Sequence, residues 1–249
     1  MDKINVVEPY PGVYISNIDA VVVSDLHLGY EGVLAQQGVY IPKVQYKKTV
    51  EALRVVTELC KAKRIIINGD LKHEFSGVTY PEQEEIEGLF NFLAEKYMEI
   101  FLVKGKHDNY LYYLSKHYGA ALSEAHQLGE YLFTHGDRLD PLQKHQNVEY
   151  IIIGHEHPAI GLYDEIGTKE KVACFLYGSL NQKQKIVVLP AFSYFAQGVE
   201  MNTTPREALL SPILRMVDVD KLKVMGIDPE TGCLPLTTLG QLRTLTATK

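Results

Sequence analysis

Five short apolar segments, each followed at once by metal-ligating or glycine residues, constrain this sequence more than any other feature. The polar clusters lie at residues 24–27 (SDLH), 69–70 (GD), 105–108 (GKHD), 134–136 (THG) and 154–157 (GHEH). Helical stretches at residues 45–61 and 81–97 separate the first three apolar segments, and a third at 109–119 follows them. This alternation predicts an α/β protein with a parallel sheet and right-handed crossovers. Since ligands bind beyond the carboxyl ends of such strands, the five clusters are expected to converge on one crevice.

The pattern changes after residue 119. A hairpin is predicted at residues 127–137 and a strand at 149–158, and short strands are predicted at 171–179, 185–190, 213–219 and 221–225. We expect residues 200–211 to form a loop or a short helix, and the Thr-rich tail 238–249 to be partly frayed. A second, mixed sheet packed on the first accommodates these strands. The expected organisation is therefore a single domain over residues 1–249.

Composition narrows the class of protein. The chain has 249 residues, three cysteines without a CxxC spacing, and apolar runs far too short for a signal peptide or a membrane span. These features predict a cytoplasmic protein with free thiols and no membrane partner. The net charge of −6 argues against a globally basic nucleic-acid binder, although a local basic patch remains compatible with it. The sequence is compatible with a monomer or a homodimer.

The five clusters supply aspartate oxygens and imidazole nitrogens. This donor set is typical of sites for borderline divalent metals, including Mn, Fe, Zn, Co and Ni. In the DxH and HxH pairs, alternation along an extended segment places both side chains on the same side. Each cluster alone is a weak signal, but five in this order, each after a strand, indicate a metal centre.

The order of these motifs resembles the calcineurin-like metallophosphoesterase family, whose pattern is DxH…GD…GN-H-[DE]…H…GHxH. The strings SDLHLGYEG, GDLKHEF, IIIGHEHP and VVLPAF are similar to its archaeal SbcD-related and bacterial ligase-associated branch. The resemblance covers residues 20 to about 195. It implies a four-layer αββα sandwich, in which two mixed β-sheets are flanked by helices.

The resemblance also implies a ligand set and an activity. One divalent ion would be held by Asp25, His27 and His157, and a second by His135 and His155, with Asp70 bridging the two. Manganese is the first expectation, with Fe, Zn, Ni and Co as alternatives. The implied protein is a metal-dependent phosphoester hydrolase, with phosphodiesters, including nucleic acid or nucleotides, favoured as substrates.

The expected reaction is an in-line attack on phosphorus by a hydroxide that the metal ions activate. His107, positioned and charge-stabilised by Asp108, would protonate the leaving oxygen, which contributes about 10²–10⁴-fold. His73 is expected either to contact substrate or support the site, or to pack its loop. These assignments make His107 and Asp108 the predicted catalytic residues.

Lys106 stands where the family pattern has a metal-ligating asparagine, and protonated lysine has no acceptor with which to bind a cation. Three interpretations follow. In the first interpretation, which we slightly prefer, the second metal site is weak or empty. The Lys106 ammonium then supplies part of the positive charge that the second ion would present to the substrate. Alternatively, Lys106 turns to solvent and Asp70, His135, His155 and water hold the second ion. The third interpretation is a decayed protein without catalysis.

Two functions from other classes compete with the hydrolase. A nucleic-acid or nucleotide binding module with a degenerate metal site would bind without hydrolysis, with a salt dependence set by its phosphate contacts. A structural subunit that docks to a repair complex is suggested by the branch resemblance alone. A gel shift in the presence of a chelator separates binding from turnover.

Overall fold

The computed structural model describes residues 3–75, 77, 79–163, 167–196 and 198–247. In these residues the strands are β1 (Ile4–Val6), β2 (Val13–Ile15), β3 (Ala20–Val23), β4 (Arg64–Asn68), β5 (Glu99–Val103), β6 (Ala121–Ser123), β7 (Ala125–Leu128), β8 (Tyr131–Thr134), β9 (Tyr150–Ile153), β10 (Pro158–Tyr163), β11 (Lys169–Ser179), β12 (Lys185–Val188), β13 (Val199–Glu200), β14 (Lys223–Asp228) and β15 (Gly232–Thr238). The helices are α1 (Tyr30–Gln36), α2 (Gln45–Cys60), α3 (Tyr80–Lys96), α4 (Tyr112–His117), α5 (Asp140–Lys144), α6 (Pro212–Met216) and α7 (Leu239–Ala247), with 3₁₀ turns at Ser16–Ile18, Arg206–Ala208 and Val219–Lys221.

The first sheet has the order β1-β2-β3-β4-β5-β6, with β3 to β6 parallel and β1 and β2 antiparallel. Its central strands are continuous apolar runs because helices or a second sheet cover both faces. The register pairs Val23 with Ile67 and Ile67 with Leu102. The three strands therefore end level with one another, and their polar turns emerge side by side at one edge.

The second sheet has the order β13-β10-β11-β12-β9-β8-β7, and β14 joins it through β11 and pairs with β15. Strands β8, β9 and β12 are parallel, and most of the others are antiparallel. The turns after β8 and β9 leave the same edge of this sheet. The hairpin of β7 and β8 confirms the predicted turn around Gly129, which has a φ of +57°.

The two sheets pack face to face between outer layers of helices. On β3, Val22 joins a core shared with Phe133 of β8 and Ile152 of β9, whereas Val21 points to the opposite face and packs with Leu53 of α2. This period of two distributes each strand between two cores. A third core, between the second sheet and α6 and α7, completes four layers. The predicted αββα sandwich with two mixed sheets is confirmed.

The helix α3 begins with a capping box. The Thr79 hydroxyl accepts from the Glu82 N–H at 3.4 Å, and the Glu82 carboxylate accepts from the Thr79 N–H at 3.3 Å. Pro81 in the first turn has no N–H to leave unpaired, which favours a helix start at this point. The helix predicted over residues 81–97 is confirmed with nearly the same bounds.

Two C-terminal predictions are wrong. Residues 213–219, predicted as a strand, form α6 and the start of a 3₁₀ turn, because Ser211 caps the helix and Pro212 occupies its first turn. The tail is not frayed over its described part: α7 packs Leu239 into the third core. Residues 248–249 of the predicted tail lie outside the described residues.

The described residues contain no helix long and apolar enough to cross a bilayer. The three cysteines are free thiols. Cys174 lies wholly buried in β11, and burial raises the pKa of its thiol far above the usual range. A protonated, enclosed thiol is a packing group, so Cys174 takes no part in the chemistry considered below.

Candidate metal centre

The polar turns after β3, β4, β8 and β9 are joined to one another through their backbones. The N–H of Asp25 donates to the Gly69 carbonyl at 3.0 Å, and the N–H of His27 donates to the Asp70 carbonyl at 3.0 Å. Across the two sheets, the His155 N–H donates to the Asp25 carboxylate at 3.2 Å. The Gly154 N–H donates to the His135 carbonyl at 2.9 Å, and the His107 N–H donates to Asp70 Oδ1 at 2.8 Å. The five clusters, though distant in sequence, therefore form one framework.

Backbone strain is concentrated in this framework. Asp25, His27, Asp70, His155 and His157 all have positive φ, between +46° and +69°. This left-handed region is unfavourable for residues other than glycine, and its use at several neighbouring positions is typical of functional sites. The turns therefore hold these side chains in positions that unstrained strand ends would not reach.

The first cluster brings together Asp25, His27 and His157. His157 Nε2 lies 2.9 Å from Asp25 Oδ1, and His27 Nε2 lies 3.4 Å from His157 Nε2. Burial would raise the pKa of Asp25, but the neighbouring His157 lowers it below its usual value. Burial also lowers the pKa of His27 to about 3. A charged carboxylate and a neutral imidazole are the forms in which these groups bind a metal ion.

The second cluster brings together Asp70, His135 and His155. His135 Nε2 lies 3.1 Å from Asp70 Oδ2 and 3.2 Å from His155 Nδ1. His135 Nδ1 lies 3.1 Å from the carbonyl oxygen of Asn68. Because a carbonyl only accepts, Nδ1 carries the hydrogen and Nε2 can offer its lone pair to a cation, as is usual for metal-bound histidine.

Opposing effects set the charges in this second cluster. Burial alone would lower the pKa of His135, but its hydrogen bond to Asp70 raises it to about 10. Burial would raise the pKa of Asp70, and the same hydrogen bond brings it down to about 2. Burial, followed by the charge of His135, lowers the pKa of His155 to about 4. Without a cation, the charge of Asp70 is balanced by an imidazolium.

A third group of imidazoles consists of His27, His73 and His107. His73 Nδ1 lies 3.3 Å from His27 Nδ1, and the rings of His27 and His107 are 4.9 Å apart. In each of the three groups, the potential ligand atoms lie within 4.8 Å of one another. His27 therefore faces the first cluster through Nε2 and His73 through Nδ1. Burial and then the charge of His107 lower the pKa of His73.

His107 lies beside Asp70, above the second cluster. Its backbone N–H donates to Asp70 Oδ1 at 2.8 Å, and its Nε2 lies 3.8 Å from Asp70 Oδ2. Its Nδ1 donates to the His73 carbonyl at 2.5 Å, and its ring packs on Phe75 at a centroid distance of 3.6 Å. The ring is thus oriented with Nε2 towards the crevice.

The prediction that Asp108 positions the His107 ring is wrong. Asp108 is fully buried, and its two oxygens accept from the N–H groups of Leu71 at 2.9 Å, Lys72 at 3.3 Å and Gly105 at 2.9 Å. Burial, followed by the charge of Asp70, raises the pKa of Asp108 to about 6. Asp108 joins the turns after β4 and β5, and the ring of His107 is oriented by the carbonyl of His73 instead.

Lys106 is exposed. Its backbone continues the turn that begins at Gly105, where a Cβ would overlap Asp70. Gly69 has a φ of +95°, and a Cβ there would overlap the ring of His135. The two glycines therefore allow the strand-end turns to approach Asp70 and His135 closely.

Several supporting residues were not anticipated in these roles. Ser24 Oγ lies 2.6 Å from Asp25 Oδ2, and the Gln45 amide donates to the carbonyls of Leu26 and His27. Glu82 accepts from the His73 N–H at 3.1 Å, in addition to capping α3. The ligand motifs carry no signal for Gln45, because helix α2 brings it to the site from 18 residues away.

Glu156 lies between His155 and His157, which both have positive φ, so strand alternation does not set the orientation of its side chain. It is fully buried, and its carboxylate accepts from the N–H groups of Leu210 at 3.1 Å and Ser211 at 2.8 Å. Burial raises its pKa. Glu156 therefore ties the turn of His155 and His157 to the start of α6.

The sandwich of two mixed sheets carries two Asp/His clusters at its strand ends. Residues 19–139 match the family model described as Calcineurin-like phosphoesterase. The matched segment carries the first four clusters. The fifth cluster, at residues 154–157, lies beyond the matched segment.

One solved structure with a similar fold is a nuclease of Pseudomonas putida. The Pseudomonas putida nuclease MPE superimposes with a TM-score of 0.62 at 18% identity, covering 91% of this chain and 92% of that one. YfcE, a phosphoesterase from E. coli, gives a TM-score of 0.42 at 15% identity, covering 88% of this chain and 98% of that one. At these identities the first likeness shows the fold alone, and the second supports no argument. No curated protein matches the sequence at a significant level.

Proposed function

We propose that this protein is a metal-dependent phosphodiesterase that acts on nucleic acid or nucleotides. The observation that carries the proposal is the convergence of two Asp/His clusters with a third, oriented imidazole at one edge of the sandwich. The resemblance of several motifs to the SbcD-related and ligase-associated branch favours phosphodiesters. The structural neighbour from Pseudomonas putida is a nuclease, which makes nucleic acid the first substrate to test.

The residues present fit divalent cations. Asp25, His27 and His157 would hold one ion, and Asp70, His135 and His155 the other, with a neutralising carboxylate in each set. When bound, the ions would supply positive charge at the phosphoryl oxygens and a nucleophilic water at neutral pH. Manganese, the cytoplasmic location and the homodimer stay predictions.

The protein groups around the metal ligands fix their chemistry. The Asn68 carbonyl holds the Nδ1 hydrogen of His135, which keeps Nε2 available as a ligand. The Ser24 hydroxyl and the His155 N–H hydrogen-bond to the Asp25 carboxylate, which favours its charged form. Both carboxylates are buried, so an unpartnered charge there would be costly, and cation binding relieves that cost.

His107 would act as the general acid. Its Nδ1 hydrogen is held by the His73 carbonyl, so the proton that would move to the leaving oxygen is the Nε2 proton of the imidazolium form. Packing on Phe75 restricts rotation of the ring. A general acid in a fixed orientation contributes about 10²–10⁴-fold, and the contribution is largest for leaving groups of high pKa.

The exposure of Lys106 supports the interpretation in which this side chain turns to solvent and the second cluster holds its own ion. Under that interpretation, manganese content per chain after loading is the same for the natural protein and Lys106→Asn. A higher content or tighter second binding step in Lys106→Asn would instead support an impaired second site. Elemental analysis after gel filtration measures the content directly.

Hydrolysis of bis-p-nitrophenyl phosphate with Mn²⁺ tests the proposal. Asp70→Ala should abolish turnover because it removes the acidic member of the second cluster. His107→Ala should lower kcat, and more severely on an oligonucleotide, whose alkoxide leaving group needs a proton, within the range of about 10²–10⁴-fold. No turnover of any phosphodiester with any divalent metal would refute the activity. Oligonucleotide binding in chelator without turnover would support a binding module.

A further inference from the structure

A row of aromatic rings leads away from the imidazole group of His27, His73 and His107. The Tyr30 ring lies 4.7 Å from His73, and Phe195 stacks on Tyr30 at 5.4 Å with an interplanar angle of 25°. Tyr194 follows at 5.2 Å from Phe195 in an edge-on contact. We call Tyr30, Phe195 and Tyr194 the aromatic track. It begins at the candidate metal centre and ends at the surface.

The chain segment that carries Phe195 and Tyr194 is fastened to the metal-ligand turns at both ends. Before it, the Phe192 N–H donates to the Ser24 carbonyl at 2.8 Å and the Ser193 N–H donates to the Asp25 carbonyl at 3.1 Å. After it, the Val199 N–H donates to the His157 carbonyl at 2.8 Å. The aromatic track is therefore positioned by the turns that hold Asp25 and His157.

Exposure and charge distinguish the aromatic track from ordinary packing. The Tyr194 side chain is 58% exposed, and the Lys48 ammonium lies over its ring at 5.6 Å from the centroid. A cavity of about 560 Å³ opens beside Tyr194, and its charged lining residues are Lys48 and Lys171 together with Glu51 and Asp228. An exposed ring next to a cation and a cavity is suited to a flat, anionic ligand.

Single-stranded nucleic acid has this chemistry. Its bases stack on aromatic faces whatever their sequence, and its phosphates pair with nearby lysines. A duplex would keep its bases stacked on one another and could not use the rings. Because the chain is acidic, with a net charge of −6, stacking has to contribute more of the affinity than charge does.

We propose that the aromatic track binds the unpaired bases of a single-stranded nucleic acid and leads its phosphodiester backbone to the metal centre. The proposal rests on the proposed phosphodiesterase function for the identity of the site that the strand enters. The aromatic track would then determine specificity without including the metal ligands or His107. Lys48 would contact the backbone at the outer end, next to Tyr194.

Binding is tested apart from turnover, with fluorescent oligothymidylate of about ten nucleotides, in chelator, by anisotropy. Tyr194→Ala should weaken binding about tenfold, since one base–aromatic stack has about this effect. Tyr194→Phe keeps the ring and should bind as the natural protein does. Tyr113→Ala is the matched control, because Tyr113 is 83% exposed and its ring contact among the described residues is Tyr112. Thermal melting verifies that each variant is folded.

An oligonucleotide with abasic sites in place of bases should bind the natural protein and Tyr194→Ala equally weakly. The ratio of kcat/KM for oligothymidylate to that for bis-p-nitrophenyl phosphate should also fall about tenfold in Tyr194→Ala. Equal affinity of normal and abasic strands, or equal losses in Tyr194→Ala and Tyr113→Ala, would overturn the aromatic track. Intact strand binding with no hydrolysis of either substrate would refute the phosphodiesterase and leave the aromatic track standing.

Discussion

Replacing Asp108 by alanine separates its observed role from the role expected from the motif. The carboxylate accepts from three backbone N–H groups, those of Leu71, Lys72 and Gly105, and it is 2% exposed. Each buried N–H left without an acceptor costs about 1–3 kcal/mol, and the 3.3 Å contact to Lys72 counts at the lower end. Burial disfavours the charge of the Asp108 carboxylate, so its removal offsets part of the cost of the unpaired N–H groups. We expect a net loss of about 3 kcal/mol.

A loss of that size should lower Tm by about 6–12 °C for a chain of this length. Thermal and urea unfolding of the metal-free protein measure it, with Asp218→Ala as the control. Asp218 is an exposed partner of Lys221 at 2.8 Å, and its loss should change stability by no more than about 0.5 kcal/mol. An Asp108→Ala protein with unchanged Tm and a kcat as low as that of His107→Ala would refute this reasoning, because it would show that Asp108 acts on the ring.

Two further predictions concern protons and loop anchoring. Burial alone would lower the pKa of His135, but Asp70 raises it to about 10. Metal binding at neutral pH must therefore displace a proton from the His135 ring. The affinity for the metal ion should rise with pH. Calorimetry in buffers of different ionisation enthalpy should show proton release, and an affinity that is the same at acidic and alkaline pH would contradict it. Glu156→Ala should lower the free energy of unfolding in urea by about 2–3 kcal/mol, because the N–H groups of Leu210 and Ser211 lose their acceptor. A stability equal to that of the natural protein would contradict this anchoring.

The parts of the fold that local sequence determines could be predicted. The apolar runs of β3, β4 and β5 are long enough and close enough to turn signals to define buried parallel strands. The helix α3 has its capping box written in the sequence as Thr79 and Glu82. These features depend on residues within a few positions of one another.

Other parts depend on contacts between distant segments. Asp108 follows His107 in sequence, and adjacency suggested a pair, whereas the buried N–H groups of the preceding turn decide where its carboxylate binds. The group of His73 with His27 and His107 arises from three different turns, and no single motif contains it. The apolar run of α6 is too short to show helical spacing, and the helix depends on the cap that Ser211 supplies.

Anomalous diffraction at the manganese edge, from crystals soaked in Mn²⁺, tests most directly whether the two Asp/His clusters bind metal ions. We expect one manganese peak between Asp25, His27 and His157. A second peak should lie between Asp70, His135 and His155, and Lys106 should contact neither peak. Both peaks should disappear together with activity when the crystals are treated with chelator. A soaked crystal in which no manganese lies within ligand distance of either set, while the protein still hydrolyses phosphodiesters, would contradict it.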